Sequence, residues 1–314
     1  MASFGQHAPG RDGPDRAAGG TARAAGGTAP VGTRTLAALT AAAPLSPAPS
    51  YRLGHHLLLL TTAGYARHTV DFVSYPCRPG TLLWVRPGQV VHFGTGAGAD
   101  AVLVTWEPGF LPPLRAAGWA AVDDGFGPVC WQLAGEDEDA VIDEVSQLVV
   151  DCRRHDLDGL AVELLRHQLA ALVLRVTLVP PVDLVPGPGC DTETFLRFRR
   201  EVETDHPRCR RVETYAARLG CSVRTLTRAC LSATGRTAKQ VIDDRVALEA
   251  MRMLRCTDLP VAAVGQRLGF PGPTHFGRFF HREVGCTPGA FRAAGDGYAL
   301  PAPAGGRQVP LAAS

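Results

Sequence analysis

Short apolar segments alternate with turn residues between residues 51 and 112 of the chain. The segments recur about every ten residues, and Gly and Pro separate them. Strands at this spacing predict a small antiparallel β-barrel or sandwich. The predicted strands are His56–Thr62, Thr69–Tyr75, Leu82–Val85, Val90–Phe93 and Ala101–Trp106.

From Glu136 the apolar period changes from two residues to about 3.6, which predicts amphipathic helices. Val141 and Val145 belong to one stripe, and a second stripe runs from Leu160 to Val176. Such helices need an apolar partner. That partner is either the barrel or a second copy of the chain.

The last third of the chain contains an internal repeat. Arg218–Cys221 recurs 49 residues later as Arg267–Phe270, and beyond this point the offset is 50, so that Leu226 corresponds to Phe276. In each copy a glycine follows a short helical pattern and a second amphipathic pattern begins, which predicts two helix–turn–helix units.

In the first unit, Gly220 should end the helix Val212–Leu219, and Ser222 should cap the next helix through its hydroxyl. Leu226 and Leu231 are expected to be buried. The opposite face would present Arg224, Thr225, Thr227 and Arg228, and these four with Ser222 are the predicted DNA-binding residues of the first unit.

In the second unit, Gly269 should end a supporting helix that begins near Val261. The helix that follows buries its phenylalanines, which are Phe276, Phe279 and Phe280. Its outward positions are Thr274, His275, Gly277 and Arg278.

A single helix of about 18 residues, Ala238–Arg255, joins the two units. At ~1.5 Å per residue it spans roughly 27 Å. This length is close to one turn of DNA, ~34 Å, so both second helices could enter the major groove from one side of a duplex.

Charge is distributed unevenly along the chain. The formal net charge is +2, but residues 195–294 carry 18 Arg and Lys against 9 Asp and Glu, a local balance of +9. A basic block in an otherwise acidic protein indicates a polyanionic partner, most simply nucleic acid.

The C-terminal block resembles the AraC family of transcription regulators. The motifs that carry the resemblance are Val261–Phe270, His275-Phe276, Arg278–Phe280, Gly285–Pro288 and Phe291-Arg292. The resemblance implies sequence-specific DNA binding and assigns contacts with DNA to Arg224, Thr227, Arg228, Pro273, Thr274, Gly277 and Arg278.

The second unit departs from the family pattern in its turn, Phe270–Thr274, which contains two prolines. Proline has no N–H group to donate, and Gly277 has no side chain with which to read a base. We therefore predict that the first unit reads bases and that the second unit mainly holds phosphate.

The strand region resembles the cupin-like sensor barrel of AraC-family members, on the segments Cys77–Gly80 and Leu82–Phe93. The resemblance implies a small-molecule effector in the barrel and dimerisation through the following helices. The predicted effector residues combine aromatic rings with a few polar groups. They are Tyr65, His68, Trp84, His92 and Trp106, although both tryptophans could equally be core residues.

The expected partners are double-stranded DNA, an unidentified effector, a second copy of the chain and RNA polymerase, with no cofactor, metal or membrane. Two alternatives stay open. One is a DNA-tethered cupin metalloenzyme, although His55, His56, His68 and His92 form no HxH pair. The other is a DNA-binding protein that responds to no effector.

The predicted fold class is α+β. Nine cysteines without a CxxC pair indicate neither a disulfide framework nor a zinc site, which favours the cytoplasm. The predicted organisation is a disordered Ala/Gly/Pro-rich arm (1–50), a barrel (51–135), a helical dimerisation element (136–179), a linker (180–191), a DNA-binding domain (192–294) and a flexible tail (295–314).

Overall fold

A computed structural model describes residues 30–42, 50–111, 127–154, 159–182, 190–295 and 300–301 of the chain. Its N-terminal part contains two β-sheets with helices packed on them, and its C-terminal part is helical apart from a two-residue strand, Leu300–Pro301, which joins the second sheet in parallel pairing. This arrangement confirms the α+β class.

The strands follow the predicted spacing. In chain order they are β1 (Val31–Thr35), β2 (Tyr51–Arg52), β3 (His56–Ala63), β4 (Ala66–Val70), β5 (Val73–Cys77), β6 (Thr81–Val85), β7 (Val90–His92), β8 (Asp100–Trp106), β9 (Cys130–Gln132) and β10 (Leu300–Pro301). One sheet has the order β1-β8-β3-β6-β9, and the other has the order β10-β5-β4-β7-β2. Within the described residues the sheets face each other without closing, so the predicted barrel is an open sandwich.

The segment Thr69–Tyr75, predicted as one strand, is a hairpin. β4 and β5 pair antiparallel, and Val70 lies opposite Val73 across a two-residue turn of Asp71 and Phe72. Asp71 suits the first position of such a turn, but Phe72 replaces the glycine that usually marks the second. The alternating pattern therefore concealed it.

Part of the predicted disordered arm is ordered. β1 pairs antiparallel with β8, with Val31 opposite Trp106, and Val31 is fully buried. The segment is ordered because its backbone pairs with β8, although its Ala/Gly/Pro-rich composition offers few large apolar side chains to bury. Residues 1–29 and 43–49 of the predicted arm lie outside the described residues, as does the predicted tail apart from residue 295 and β10.

The first sheet is buried on both faces. Leu58 and Trp84 face the helices α2 (Glu136–Arg154) and α3 (Gly159–Leu178), whereas Leu57 and Leu83 face the second sheet. The helix α1 (Leu36–Ala42) packs at the edge, where the Ala37 N–H donates to Asp100. The sheet is thus the apolar partner that the two predicted helices required.

The C-terminal helices surround a central strut and share one apolar core. They are α4 (Cys190–Asp205), α5 (Val212–Arg218), α6 (Val223–Thr234), α7 (Ala238–Cys256), α8 (Val261–Arg267), α9 (Pro273–Val284) and α10 (Pro288–Ala293). The strut is α7, whose Ile242, Val246, Ala250 and Met251 are fully buried. Helix α4 begins at Cys190, inside the predicted linker. Of the helices described, none is both long and apolar enough to cross a lipid bilayer.

Candidate functional site

The two helix–turn–helix units close their turns in the same way. The Cys221 N–H donates to Ala216 O over 3.0 Å, and the equivalent Phe270 N–H donates to Gly265 O over 2.9 Å. The glycine between, Gly220 or Gly269, has a φ of 65° or 73°, the left-handed conformation that ends a helix. The repeat in the sequence is therefore a repeat in three dimensions.

The second helix of the first unit, α6, begins at its predicted cap. Ser222 Oγ accepts a hydrogen bond from the Thr225 N–H over 3.0 Å. Arg224 and Arg228 are one helical turn apart and exposed, and Thr225 and Thr227 are half-buried beside them. These five predicted residues form one outward surface, which we call the α6 face.

The core side of α6 differs from the prediction at one position. Leu226 is fully buried, as predicted, but Leu231 is 46% exposed. Ala229 and Cys230 fill the inner face instead. Leu231 follows Thr227 by one turn and so extends the α6 face.

The second helix of the second unit, α9, begins differently. Gly272 precedes Pro273 and provides no side-chain cap, so the first amide N–H groups of α9 lack a side-chain partner. Pro273, Thr274 and Arg278 are exposed, and Gly277 is half-buried. A Cβ at Gly277 would meet nothing within 4 Å. These four predicted residues form the α9 face.

Both units are fastened to the strut. Arg236, just after α6, pairs with Asp244 of α7 at 2.7 Å, and Arg282 of α9 lies 3.4 Å from Asp243 of α7. Burial raises the pKa of Asp244 to about 6, against the opposing effect of Arg236. Thr237 and Gln240 form a capping box at the start of α7. The helices that carry the α6 and α9 faces are therefore attached to the same strut and share one apolar core.

The five predicted effector residues fall into three separate places. His68 is buried between the two sheets, with His92 close enough to affect its charge. Trp84 and Trp106 lie on the opposite face of the first sheet, in the core under α2 and α3. Tyr65 is 48% exposed in the turn between β3 and β4.

The tryptophan side of the sheet holds a closed aromatic cluster. His56 stacks on Trp106 with 4.9 Å between ring centroids, and Trp84 Nε1–H donates to His56 Nδ1 over 3.3 Å. Arg86 lies 4.3 Å from the Trp84 ring centroid and donates to Pro128 O over 2.8 Å. These contacts use the polar groups internally and give the tryptophans the role of core residues.

The interior between the sheets contains further polar groups that the sequence analysis did not select. Cys77 and Thr61 are buried close to His68. Burial raises the pKa of the Cys77 thiol to about 11, so the thiol stays protonated at neutral pH. Both residues come from apolar strands, and no spacing signal distinguishes them in the sequence. Within the described ranges, no three His, Cys, Asp or Glu side chains are grouped as metal ligands.

We expect the N-terminal part to lose stability as the pH falls from about 6.5 to 4. Burial lowers the pKa of His56 and of His68 from 6.5 to about 4, with Arg86 adding to the effect on His56 and His92 to that on His68. The unfolded chain therefore binds protons in this range that the folded chain rejects, which costs up to about 3 kcal/mol per histidine. Thermal unfolding between pH 7 and 4.5 measures the loss. His68→Asn should flatten the dependence, and an unchanged slope would contradict the assignment.

Two family models match the chain. One, described as an AraC-like ligand binding domain, matches residues 48–127, and the other, described as a helix-turn-helix domain, matches residues 215–294. They fall on the sandwich and on the paired helix–turn–helix units.

Curated relatives span most of the chain. The arabinose operon regulatory protein of Salmonella typhimurium is 23% identical over 243 residues, 76% of this chain and 83% of the relative. The HTH-type transcriptional activator RhaS of Salmonella schwarzengrund is 25% identical over 270 residues, 82% of this chain and 92% of the relative. The crystal structure of ToxT from Vibrio cholerae O395 covers 85% of this chain and 99% of its own, at 11% identity and a TM-score of 0.44.

Proposed function

Because this chain belongs to the AraC family of DNA-binding transcription regulators, we propose that its α6 face reads operator bases and its α9 face holds the adjacent phosphates. The observation that carries the proposal is the pair of exposed helix faces fixed to one strut. Arg224 and Arg228 stand one turn apart on α6 and can each offer a guanidinium fork to guanine O6 and N7.

Phosphate binding by α9 follows from its first turn. The uncapped amide N–H groups after Gly272 point out of a helix N-terminus, which favours an anion. Arg278 is exposed one turn later and adds a positive charge. Pro273 and Gly277 provide no side-chain donor, so this face distinguishes bases poorly.

The strut sets the distance between the two faces. Helix α7 has 19 residues and so is about 28 Å long. This length suits two contacts about one DNA turn apart, ~34 Å, along one side of the duplex.

Binding of the full chain to duplexes tests the function directly. We expect selection from a random library to enrich one sequence. We also expect log affinity for it to fall linearly with log salt between about 50 and 200 mM, since phosphate contacts release counterions. A chain that binds no duplex at low salt would overturn the proposal.

We further propose that the effector binds between the two sheets, beside His68 and His92. Tyr75 and Phe93 line the same interior, and Phe93 lies edge-on to His68 with 5.9 Å between centroids. The neutral His68 imidazole can donate or accept one hydrogen bond, so an uncharged, mostly apolar or aromatic ligand fits this interior best.

A thermal-shift screen of metabolites tests this proposal, because a ligand at 100 times its Kd adds ~2.7 kcal/mol of stability. The shift should be lost in His68→Asn. If no ligand shifts the unfolding temperature, the result favours the alternative that the chain is a DNA-binding protein that responds to no effector.

We propose that the chain forms a homodimer through α3. The outer side of α3 carries residues at alternating spacings of four and three, the period of a coiled coil. They are Leu160, Leu164, His167, Ala171, Leu174 and Leu178. Leu160 is 90% exposed and Leu178 is 84% exposed, which is unusual for large apolar side chains.

Leu164→Asp should weaken self-association by at least about 30-fold, since burial of one leucine contributes about 2–3 kcal/mol per protomer. Sedimentation equilibrium measures the change. Val182→Asp is the matched control, because Val182 is similarly exposed but lies beyond the stripe. Equal self-association of Leu164→Asp and the native chain would exclude this face.

Because the chain belongs to the AraC family, we also propose the cytoplasm as its compartment and RNA polymerase as a further partner.

A further inference from the structure

The turn between β4 and β5 has an unusual backbone. Asp71 and Phe72 have φ values of 47° and 68°, and among the described residues they are the non-glycine residues with positive φ. A two-residue hairpin turn of this type strongly prefers Asn-Gly or Asp-Gly. A bulky residue such as Phe rarely adopts the left-handed region and stays there only when its surroundings determine it.

The surroundings of Asp71 come from both parts of the chain. Its carboxylate accepts two hydrogen bonds from Arg252 of α7, from Nε over 2.8 Å and from Nη2 over 2.7 Å. It also accepts bonds from the Val90 N–H and from Gln89 Nε2 within the sandwich. The exposed fractions of the two ion-paired side chains are only 12% and 6%. Such a forked, buried pair fixes orientation as well as distance.

Phe72 belongs to the C-terminal core. The side chain is 3% exposed, and its ring lies 5.4 Å from that of Phe291 of α10 at an angle of 72°. The guanidinium of Arg255 covers both rings, 5.8 Å from the centroid of Phe72 and 4.9 Å from that of Phe291. Phe72, a residue of the sandwich, is thus packed in the core of the helical part.

A second ion pair lies beside the turn. Arg52 of β2 is 2.8 Å from Glu249 of α7, and Arg245 of the same helix is 3.1 Å from Glu249. Although burial opposes it, Arg245, Arg52 and Arg252 hold the pKa of Glu249 down at about 2. This carboxylate is therefore charged at neutral pH and attracts both parts of the chain.

We propose that the Asp71–Phe72 turn is a latch that clamps the strut α7 to the sensor sandwich. The latch orients the DNA-binding part and does not cover it, because Arg224, Arg228 and Arg278 stay exposed in the latched chain. This inference rests on the proposed function for its regulatory meaning, while the latch itself is a contact that physical measurements detect without DNA.

The strands that hold the latch also line the proposed effector interior. His68 lies on β4, three residues before Asp71, and Thr69 of β4 pairs with His92 of β7. The Asp71 N–H donates to Val90 O of β7 over 2.8 Å. A ligand that displaces β4 against β7 therefore moves the turn and the strut attached to it, which couples the two parts.

The variant Phe72→Gly tests the contact with the helical part without weakening the hairpin turn itself. Asp-Gly is a preferred sequence for this turn, so the hairpin should keep or gain stability. The strut should be released, and the rotational correlation time of amides in residues 190–295 should fall by at least about half, because a domain of that size would tumble separately. Calorimetry should show one unfolding transition becoming two. Tyr65→Gly, which removes an aromatic ring from the turn at the other end of β4, is the matched control and should leave the parts coupled.

Asp71→Asn gives an independent test, since asparagine tolerates the turn but removes the charge that pairs with Arg252. It should also shorten the correlation time. Joint tumbling of both parts in Phe72→Gly and in Asp71→Asn would overturn the latch. Affinity for a single DNA site should stay within about twofold of the native value, because the α6 and α9 faces are unchanged. If the native chain binds no DNA while Phe72→Gly still uncouples the parts, the proposed function fails and the latch stands.

Discussion

Replacing Arg224 or Arg228 with alanine should lower affinity for the selected operator by about 5- to 150-fold while leaving affinity for random duplex nearly unchanged. A guanidinium fork on guanine O6 and N7 is worth about 1–3 kcal/mol of discrimination, and both side chains are exposed on the α6 face. Fluorescence anisotropy with the selected and the random duplex gives the ratio of affinities.

Arg278→Ala is the matched control for this experiment. Arg278 is the counterpart of Arg228 in the second unit and should contact phosphate. Its loss should weaken binding to both duplexes alike and reduce the salt slope by about one. If Arg224→Ala and Arg228→Ala left the ratio of specific to random affinity unchanged, base reading would have to be assigned to other residues.

Gly265→Ala should destabilise the C-terminal part by about 1–3 kcal/mol, the usual cost of overfilling a packed core. Gly265 lies on α8 against α9, and a Cβ there would stand 2.9 Å from both Cβ and Cγ of Phe276. The equivalent positions of the first unit hold Ala216 and Leu226. The smaller leucine is thus paired with alanine, and the larger phenylalanine with glycine.

The double variant Gly265→Ala, Phe276→Leu copies the first unit into the second and should regain much of the lost stability. Phe276→Leu alone should be destabilising, since it leaves a small cavity. Chemical denaturation of all three variants gives the coupling free energy between the two positions. Additive losses would show that the contact between Gly265 and Phe276 does not limit packing.

The sequence was most informative where local rules act. Gly220 and Gly269 end their helices, Ser222 caps α6, and Phe276, Phe279 and Phe280 form the core of the second unit, all as predicted. These features depend on backbone conformation and on helical period within a few residues. A 49-residue repeat adds a second copy of the same evidence.

The alternation of apolar and polar residues along the strands was less informative about which side chains share a face. All five residues of β6 are buried, so its outward and inward positions look alike in the sequence. A strand buried on both faces loses the polar alternation that identifies its solvent side. The prediction therefore could not place Trp84 on one side of the sheet, and it grouped both Trp84 and Trp106 with His68, from which the sheet separates them.

The sequence by itself determined the two helix–turn–helix units, their exposed arginines and the strut between them, because each follows from interactions within one segment. Only the tertiary structure decided which face of the first sheet meets the helices and that Asp71 and Phe72 form a turn. It also brought Asp71 to Arg252, which is 181 residues away. Such a contact depends on how the sandwich and the helical part pack against each other, and no spacing along the chain records that geometry.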